Sequence, residues 1–311
     1  MNTTKGKPFI SIAQQALTVN NPRAKAEQVF DLLDVNKATM QDYKYRIRLF
    51  LDYVKDEGFT RNSFLEFKRC LAERTDYSVA TKNKYLAAAR VFLKELNRQG
   101  ALPADITQNI KTFNQSKKHK REGLDDAEIA LLADAMGKLS PTSQNARLRA
   151  MMCLLALQGL RQVEITRLDV RDIDLAGKIA FIQGKGQDDK EPINLHPGTV
   201  RALREHIKIN KIADGALFAS QSNNSRNKRI TTRALRRMVK ETLTALGINK
   251  TTHGFRHYFT TTLIKTYKGD LLEVAGYTRH KSLEMLQVYN DNIKREADLP
   301  RFYRAFKGVN F

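Results

Sequence analysis

Arginine, histidine, lysine and tyrosine residues recur in four short clusters in the second half of this 311-residue chain. Together they could cleave a phosphodiester without a metal ion. Guanidinium groups would neutralise the non-bridging oxygens, a nucleophile would attack in line, and a proton donor would reach the leaving oxygen. The clusters are Gly159-Leu160-Arg161-Gln162-Val163-Glu164, Gly184-Lys185-Gly186, His253-Gly254-Phe255-Arg256-His257, and His280 followed nine residues later by Tyr289.

The sequence supplies no competing metal site. Its carboxylates form no cluster suited to two metal ions, and its cysteines and histidines lack the spacing of zinc ligands. The two cysteines, Cys70 and Cys153, each stand beside a leucine in an apolar helical pattern, which is typical of small buried hydrophobes. We therefore expect no metal and no other cofactor.

The charge of the chain indicates a polyanionic partner. Lysine and arginine outnumber acidic residues 54 to 33, for a formal net charge of +21. Residues 1–121 hold 23 basic and 12 acidic residues, and the remainder holds 31 and 21, so both halves carry the excess. Charge alone is equally compatible with a generic nucleic-acid-binding protein, and it identifies the partner rather than the reaction.

The first part of the chain is predicted to be helical. Residues 1–36, polar and then mildly amphipathic, are interpreted as an N-terminal extension. Helical patterns from Ala38, over about 62–74 and from Ser78 predict a bundle of four helices with a basic surface over residues 37–112. Residues 113–121 are polar and basic and are interpreted as a linker. The candidate DNA contacts in these two regions are Lys82, Lys84, Lys117, Lys118, Lys120 and Arg121.

Residues 122–311 are predicted to form a second domain, mainly α with a small antiparallel β-sheet. A helix opens at Leu124 with Asp125 or Asp126 as its N-cap. The helix over about 145–159 is nearly all apolar, which places it at the centre of a core. Short β-leaning runs between glycines predict three strands, at 173–175, 178–183 and 192–195. Further helices are predicted at about 197–211, 231–246, 253–267, 270–276 and 282–288.

The four clusters resemble, in order and spacing, the motifs of the tyrosine recombinase (phage integrase and Xer-like) family. The resemblance covers residues 122–311 well, whereas residues 37–112 resemble the family's core-binding domain in layout only. Two positions depart from the family pattern. Tyr277-Thr278-Arg279 precede His280 where a leucine-glycine pair is usual, and Tyr258 stands where a small polar residue is commoner.

The resemblance implies how the scissile phosphate would be held. Arg161 and Arg256 would clamp it, and His280 would donate a hydrogen bond to it. Glu164, one helical turn from Arg161, would orient the arginines or His253 by hydrogen bonding; the alternative is an exposed i,i+3 ion pair.

The remaining roles are those of proton donor, acid–base group and nucleophile. Lys185, between two glycines of a hairpin, would protonate the 5′-oxygen, with Lys190 of the same hairpin as the alternative. The resemblance places His253 near the nucleophile as an acid–base group. Tyr289 would be the nucleophile, because it has the family's distance from His280; the other candidates are Tyr267, Tyr277 and Tyr303.

The function implied is site-specific DNA recombination through a covalent 3′-phosphotyrosyl intermediate. The family's architecture is a two-domain clamp around DNA, with four protomers on two duplexes, serving Xer-like dimer resolution or the integration and excision of mobile elements. Residues 1–36 are shorter than the arm-binding domain that some integrases carry. Relaxation of DNA by type IB topoisomerase-like chemistry, and a non-enzymatic architectural role on DNA, are the alternatives.

The location expected from the sequence is cytoplasmic and nucleoid-associated. The N-terminus lacks the basic-then-apolar layout of a signal peptide. No apolar run approaches the roughly 20 residues that a membrane-spanning helix needs.

Overall fold

The fold was obtained as a computed structural model, which describes residues 22–57, 59–115, 123–184, 186–221, 227–280, 282–305 and 307. The chain divides into two compact units, Met1–Ser116 and Lys117–Phe311, called here the N-terminal and C-terminal units. Most of the expected linker lies outside the described residues, together with four of the candidate DNA contacts, Lys117, Lys118, Lys120 and Arg121.

The described part of the N-terminal unit contains four helices packed around phenylalanine side chains. The helices are α1 (Pro22–Asp31), α2 (Lys37–Glu57), α3 (Ser63–Glu73) and α4 (Val79–Arg98). Phe30, Phe50 and Phe92 are among the fully buried side chains of its core. Burying aromatic rings of this size is a large source of stabilisation, worth about 1.5–3 kcal/mol each.

The fourth helix of this unit is not where the sequence analysis expected it. It is α1, which precedes residue 37, whereas the described residues 99–115 form turns and bends. Val29 and Phe30 of α1 are buried in the core, so this segment belongs to the bundle rather than to an extension. Proline at position 103 disfavours a further helix after Gly100, which has a left-handed φ of 73°.

The C-terminal unit is mainly α with a three-stranded antiparallel sheet, as the sequence predicted. The sheet has the order β1-β2-β3, and Ala180 pairs with Ile193 in its register. Its elements are α5 (Asp126–Lys138), α6 (Ser143–Gln158), α7 (Gln162–Arg167), β1 (Ile173–Asp174), β2 (Ile179–Gln183), β3 (Lys190–Asn194), α8 (Pro197–Ile209), α9 (Thr232–Ala245), α10 (Thr252–Thr266), α11 (Leu271–Thr278) and α12 (Leu283–Ala305).

Helix α6 lies at the centre of the C-terminal core, where its apolar composition predicted it. Ala150, Met151 and Leu154 are completely buried, and the helix packs against α8 and α10. Helix α5 begins at an Asp125 N-cap that forms a capping box with Glu128, with hydrogen bonds of 2.7 and 3.0 Å.

Helix α12 is longer than the predicted segment 282–288. Leu286 and Tyr289 are buried at i and i+3, and the half-buried Ile293 continues the same stripe. The helix therefore runs past Tyr289 to Ala305, through Pro300. The candidate nucleophile lies inside a helix rather than after one.

The two cysteines are free and differ in their surroundings. Cys70 is exposed, so the expectation that it is buried was wrong. The buried stripe of α3 consists of Phe64, Phe67 and Leu71, and Cys70 lies off that stripe. Cys153 on α6 is largely covered, and burial raises the pKa of its thiol to about 11. Among the described residues, no helix is long and apolar enough to cross a membrane.

Candidate active site

The turn between α6 and α7 positions the first arginine. Gly159 ends α6 in the left-handed conformation, with φ 56° and ψ 28°. A Cβ atom at this position would lie 2.3 Å from Cδ1 of Phe259, so both backbone and packing require glycine. The tight turn brings Arg161 to the N-cap position of α7. The carbonyl of Gly159 is left facing α10, where it accepts a hydrogen bond from Arg256.

Glu164 is a buried carboxylate shared by two arginines. Its side chain is 0% exposed. Oε1 accepts a hydrogen bond from Nη1 of Arg161 at 2.7 Å, and Oε2 accepts from the backbone N–H of Arg161 at 2.7 Å and lies 3.4 Å from Nη2 of Arg279. Burial by itself would raise the pKa of Glu164, but the charge of Arg279 and the hydrogen bonds and charge of Arg161 outweigh it and lower the pKa. Glu164 is therefore a buried anion and not an exposed i,i+3 partner.

Arg256 is held from two sides by carbonyl groups. It is 4% exposed on α10. Nη1 donates to the Gly159 carbonyl at 2.9 Å and Nη2 donates to the Thr278 carbonyl at 2.6 Å. Burial, together with the positive charges of Arg161 and Arg279, lowers the pKa of Arg256 to about 10. The repulsion shows that three guanidinium groups share one site.

The segment from Thr278 to His280 links the parts of this site. Arg279 ends α11 in a left-handed conformation, with φ 55° and ψ 43°. The Thr278 hydroxyl donates to the Val274 carbonyl at 2.9 Å, and Nδ1 of His280 lies 2.7 Å from the same hydroxyl oxygen. Because the hydroxyl proton is already used, Nδ1 of His280 is the donor of this hydrogen bond. With Nδ1 as the donor to Thr278, His280 can donate to a phosphate through Nε2 only as the doubly protonated ring.

Tyr289 is 4% exposed and contacts two imidazole rings. The His257 ring meets the phenol edge-on, at 4.7 Å between centroids and 66° between planes, and the His280 ring lies at 6.4 Å and 57°. Burial raises the pKa of Tyr289, and the charge of Arg256 acts in the opposite direction. The phenol is therefore protonated at neutral pH and needs a base before it can attack.

The predicted acid–base histidine lies in the first turn of α10. His253 is exposed there, and His257, one turn further along the same helix, is the histidine whose ring packs on Tyr289. A spacing of four residues places both on one helical face. The sequence analysis named His257 only as the last residue of its cluster; its spacing from His253 was the available signal.

The hairpin that carries the predicted proton donor is anchored beside the site. Lys185 itself lies outside the described residues. The carbonyl of Gly184 accepts a hydrogen bond of 3.1 Å from Nη1 of Arg167. The alternative donor, Lys190, forms an ion pair of 2.5 Å with the buried Asp172. Lys190 therefore has a structural partner, which favours Lys185 as the donor.

A cavity of about 590 Å³ opens onto these groups. Its lining includes Arg161, Glu164, Arg279 and His280, with Gly184 on the hairpin side. Among the described residues, no group of three or more histidine, cysteine, aspartate or glutamate side chains is placed to hold a metal ion. The carboxylate of Glu191 also lines the cavity, and the two guanidinium groups are the donors in the lining that suit a phosphate group.

The two candidate DNA contacts that the structure describes lie on α4 of the N-terminal unit. Lys84 is exposed. Nζ of Lys82 donates to the Ala72 carbonyl at 2.8 Å and lies 5.9 Å from the Phe113 ring centre. Lys82 therefore already has partners within the unit, and Lys84 is the more accessible of the two.

Comparisons with known proteins show which family the chain belongs to. A sequence model of the phage integrase family matches residues 122–296, more than half of the chain. The tyrosine recombinase XerC of Roseiflexus castenholzii (strain DSM 13941 / HLO8) is 30% identical over 255 residues, which cover 79% of this chain and 78% of the relative. The tyrosine recombinase XerC of Roseiflexus sp. (strain RS-1) is 29% identical over 270 residues, which cover 81% of this chain and 82% of the relative.

Solved structures share the fold. The XerH site-specific recombinase bound to a palindromic difH substrate, in a post-cleavage complex, has a TM-score of 0.71 and 20% identity, covering 90% of this chain and 84% of that one. A lambda integrase tetramer bound to a Holliday junction has a TM-score of 0.68 and 14% identity, with 92% and 81% covered. With its arginines, histidines and buried tyrosine gathered as described, the chain belongs to the phage integrase family, the tyrosine recombinases.

Proposed function

We propose that this protein is a site-specific DNA recombinase that cuts and rejoins strands through a covalent 3′-phosphotyrosyl link to Tyr289. The observation that carries the proposal is the grouping of Arg161, Arg256, His280 and Tyr289 around one cationic site. The names of the Xer relatives support recombination as the outcome. The biological setting is Xer-like dimer resolution or the integration and excision of a mobile element.

The cleavage step needs only groups of this chain. The phenol oxygen of Tyr289 attacks phosphorus, the bond from phosphorus to the 5′-oxygen breaks, and Lys185 gives that oxygen a proton. The phenol proton passes to His253 or to its neighbour His257. The 5′-hydroxyl of a partner strand then attacks the phosphotyrosine and releases Tyr289. Because one phosphate ester replaces another, the exchange requires no ATP.

The arginines stabilise the charge that develops during this step. Two N–H groups of Arg256 are used by the Gly159 and Thr278 carbonyls, and its other donors are left for the phosphate. Arg161 is tied to Glu164 through Nη1, which holds its guanidinium at the mouth of the cavity. Donors fixed in advance act most strongly on a transition state, because they do not reorganise during the reaction.

Cleavage is tested with a nicked suicide substrate made from the DNA that flanks the gene. The wild-type protein is expected to form a covalent protein–DNA complex, and Tyr289→Phe is expected to form none. Absence of the complex with every flanking substrate would overturn the recombinase proposal and favour an architectural DNA-binding protein. Relaxation of supercoiled plasmids that lack any specific site would favour topoisomerase-like activity instead.

We further propose that the protein acts as a homotetramer on two duplexes. The lambda integrase structure that shares its fold is a tetramer on a Holliday junction. At the end of α12, Phe302 and Tyr303 are 54% and 64% exposed, which suits packing against a neighbouring subunit. Deletion of residues 298–311 is expected to abolish tetramer assembly on DNA in gel filtration and leave monomer binding intact; unchanged assembly would contradict this role.

A further inference from the structure

Arg279 occupies a backbone position that ordinarily favours glycine. It follows α11 with a φ of 55°, and its N–H donates to the Ala275 carbonyl at 2.8 Å. An L-residue in this left-handed conformation is strained, because its Cβ crowds the following carbonyl. A large charged residue stands here despite that strain, so contacts of its side chain are expected to offset the strain.

The side chain of Arg279 is directed into the active site. It is 11% exposed, its Nη1 donates to the Tyr277 carbonyl at 3.2 Å, and its Nη2 lies 3.4 Å from Oε2 of Glu164. Its Nε is buried and has no hydrogen-bond partner among the described residues. Together with Arg161 and Glu164, it lines the 590 Å³ cavity.

The four charges around Arg279 come from three elements. Glu164 and Arg161 face it from α7 and its N-cap, Arg256 faces it from α10, and Glu191 faces it from β3. Glu164 carries a single negative charge and is contacted by two guanidinium groups. With Arg256, three guanidinium groups face the two carboxylates of Glu164 and Glu191, which leaves positive charge in the site for an anion.

We propose that Arg279 is a positioning residue for DNA cleavage: it shares the buried Glu164 carboxylate with Arg161 and so keeps part of the Arg161 charge available for the scissile phosphate. This inference rests on the proposed function. Negative charge on the phosphate grows in the transition state, so the contribution falls mainly on the cleavage rate. Binding of the whole duplex depends on many phosphate contacts and changes little.

The test is single-turnover cleavage of the nicked substrate over a range of DNA concentrations, which separates the maximal rate from the Kd. Arg279→Met keeps the aliphatic stem and removes the charge. It is expected to lower the maximal rate by about tenfold and to change the Kd by less than about twofold. Arg279→Lys is expected to restore the rate to within about threefold of wild type. Lys138→Met, which removes an exposed charge paired with Asp134 on α5, is the control and should cleave at the wild-type rate.

The pH profile separates this role from a purely structural one. Without Arg279, the Glu164 carboxylate keeps only Arg161 as its close cationic partner among the described residues. Its protonation then begins at a higher pH, and the acidic limb of the rate profile moves upward in Arg279→Met but not in Arg279→Lys. Arg279→Gly relieves the left-handed backbone, so it should fold and show the same shift.

Four outcomes decide the matter. Slower cleavage, an upward shift of the acidic limb and rescue by lysine support the inference. The inference is overturned if Arg279→Met and Arg279→Gly both cleave at the wild-type rate with an unmoved pH profile. It is also overturned if the rate falls, lysine does not restore it, and the pH profile stays where it is. If the wild-type protein forms no covalent complex at all, the proposed function fails first, and the inference falls with it.

Discussion

Replacing Glu164 by glutamine removes the negative charge that Arg161 and Arg279 share inside the C-terminal unit. The carboxylate is fully buried, with contacts of 2.7 Å to Arg161 and 3.4 Å to Arg279. The amide of glutamine can accept one of these hydrogen bonds, but its NH₂ group faces a second donor. The variant therefore leaves the guanidinium groups close together, with Glu191 as the remaining carboxylate that faces Arg279.

The expected cost is about 3 kcal/mol in the free energy of unfolding, from the range of about 3–5 kcal/mol for breaking a buried ion pair. The lower end applies because the Arg161 side chain is 37% exposed and water can solvate part of its charge. For a unit of this size, about 3 kcal/mol corresponds to a fall in Tm of about 6–12 °C. The chain has no tryptophan, so unfolding is followed by calorimetry or circular dichroism.

The pH dependence has a definite sign. In the folded protein the pKa of Glu164 lies below its ordinary 4.5. Its stabilisation is therefore complete above pH 4.5 and is lost as the pH falls through the folded-state pKa. The difference in stability between wild type and Glu164→Gln should accordingly be constant near neutral pH and shrink below pH 4.5.

The matched control is Glu241→Gln, which removes a carboxylate from an exposed pair with Arg237 at 3.7 Å. Such pairs contribute about 0–1 kcal/mol, so this variant should melt close to wild type. The reasoning about Glu164 would be refuted if both variants lost equally little stability. It would also be refuted if the deficit of Glu164→Gln stayed unchanged well below pH 4.5.

Two glycines next to the site lead to further predictions. Gly159→Ala should lower the free energy of unfolding by about 2–4 kcal/mol, because it combines a left-handed backbone with a clash against Phe259. Calorimetry tests this, with Gly137→Ala as the control. Gly137 lies in an open position on a helix, so that variant should not be destabilised. In Gly123→Ala the new Cβ would lie 2.5 Å from Nδ1 of His257, displacing the ring that packs on Tyr289. Suicide-substrate cleavage should slow by about tenfold, and a wild-type rate would contradict a role for this contact.

Helices with a strong pattern were predictable from the sequence, and the ends of elements were not. The apolar run of α6 could only be buried, and it forms the centre of the core. Helix α1 was missed as part of the bundle because its mild pattern becomes meaningful only when Phe30 reaches a core built by later helices. Helix α12 was predicted too short, since Pro300 is unfavourable within a helix and nothing local shows that the helix continues.

The candidate site likewise contains residues that the sequence singled out and one that it did not. Motif order singled out Arg161, Arg256, His280 and Tyr289 as candidates, and the structure places them close together; their catalytic roles stay predictions. The place of Arg279 was not predictable, because its partner Glu164 lies 115 residues earlier and the two meet only in the folded unit. In the sequence, Arg279 is visible only as an unusual residue before His280, and its contacts with the site come from the tertiary structure.

The most direct test of the account is the identity of the tyrosine that becomes joined to DNA. After reaction with the nicked substrate and nuclease trimming, trypsin releases residues 282–294, in which Tyr289 is the single tyrosine. Mass spectrometry is predicted to find the nucleotide-phosphate adduct on this peptide, with none on the peptides that contain Tyr267, Tyr277 or Tyr303. An adduct on any of those three, with residues 282–294 unmodified, would contradict the assignment of Tyr289 as the nucleophile.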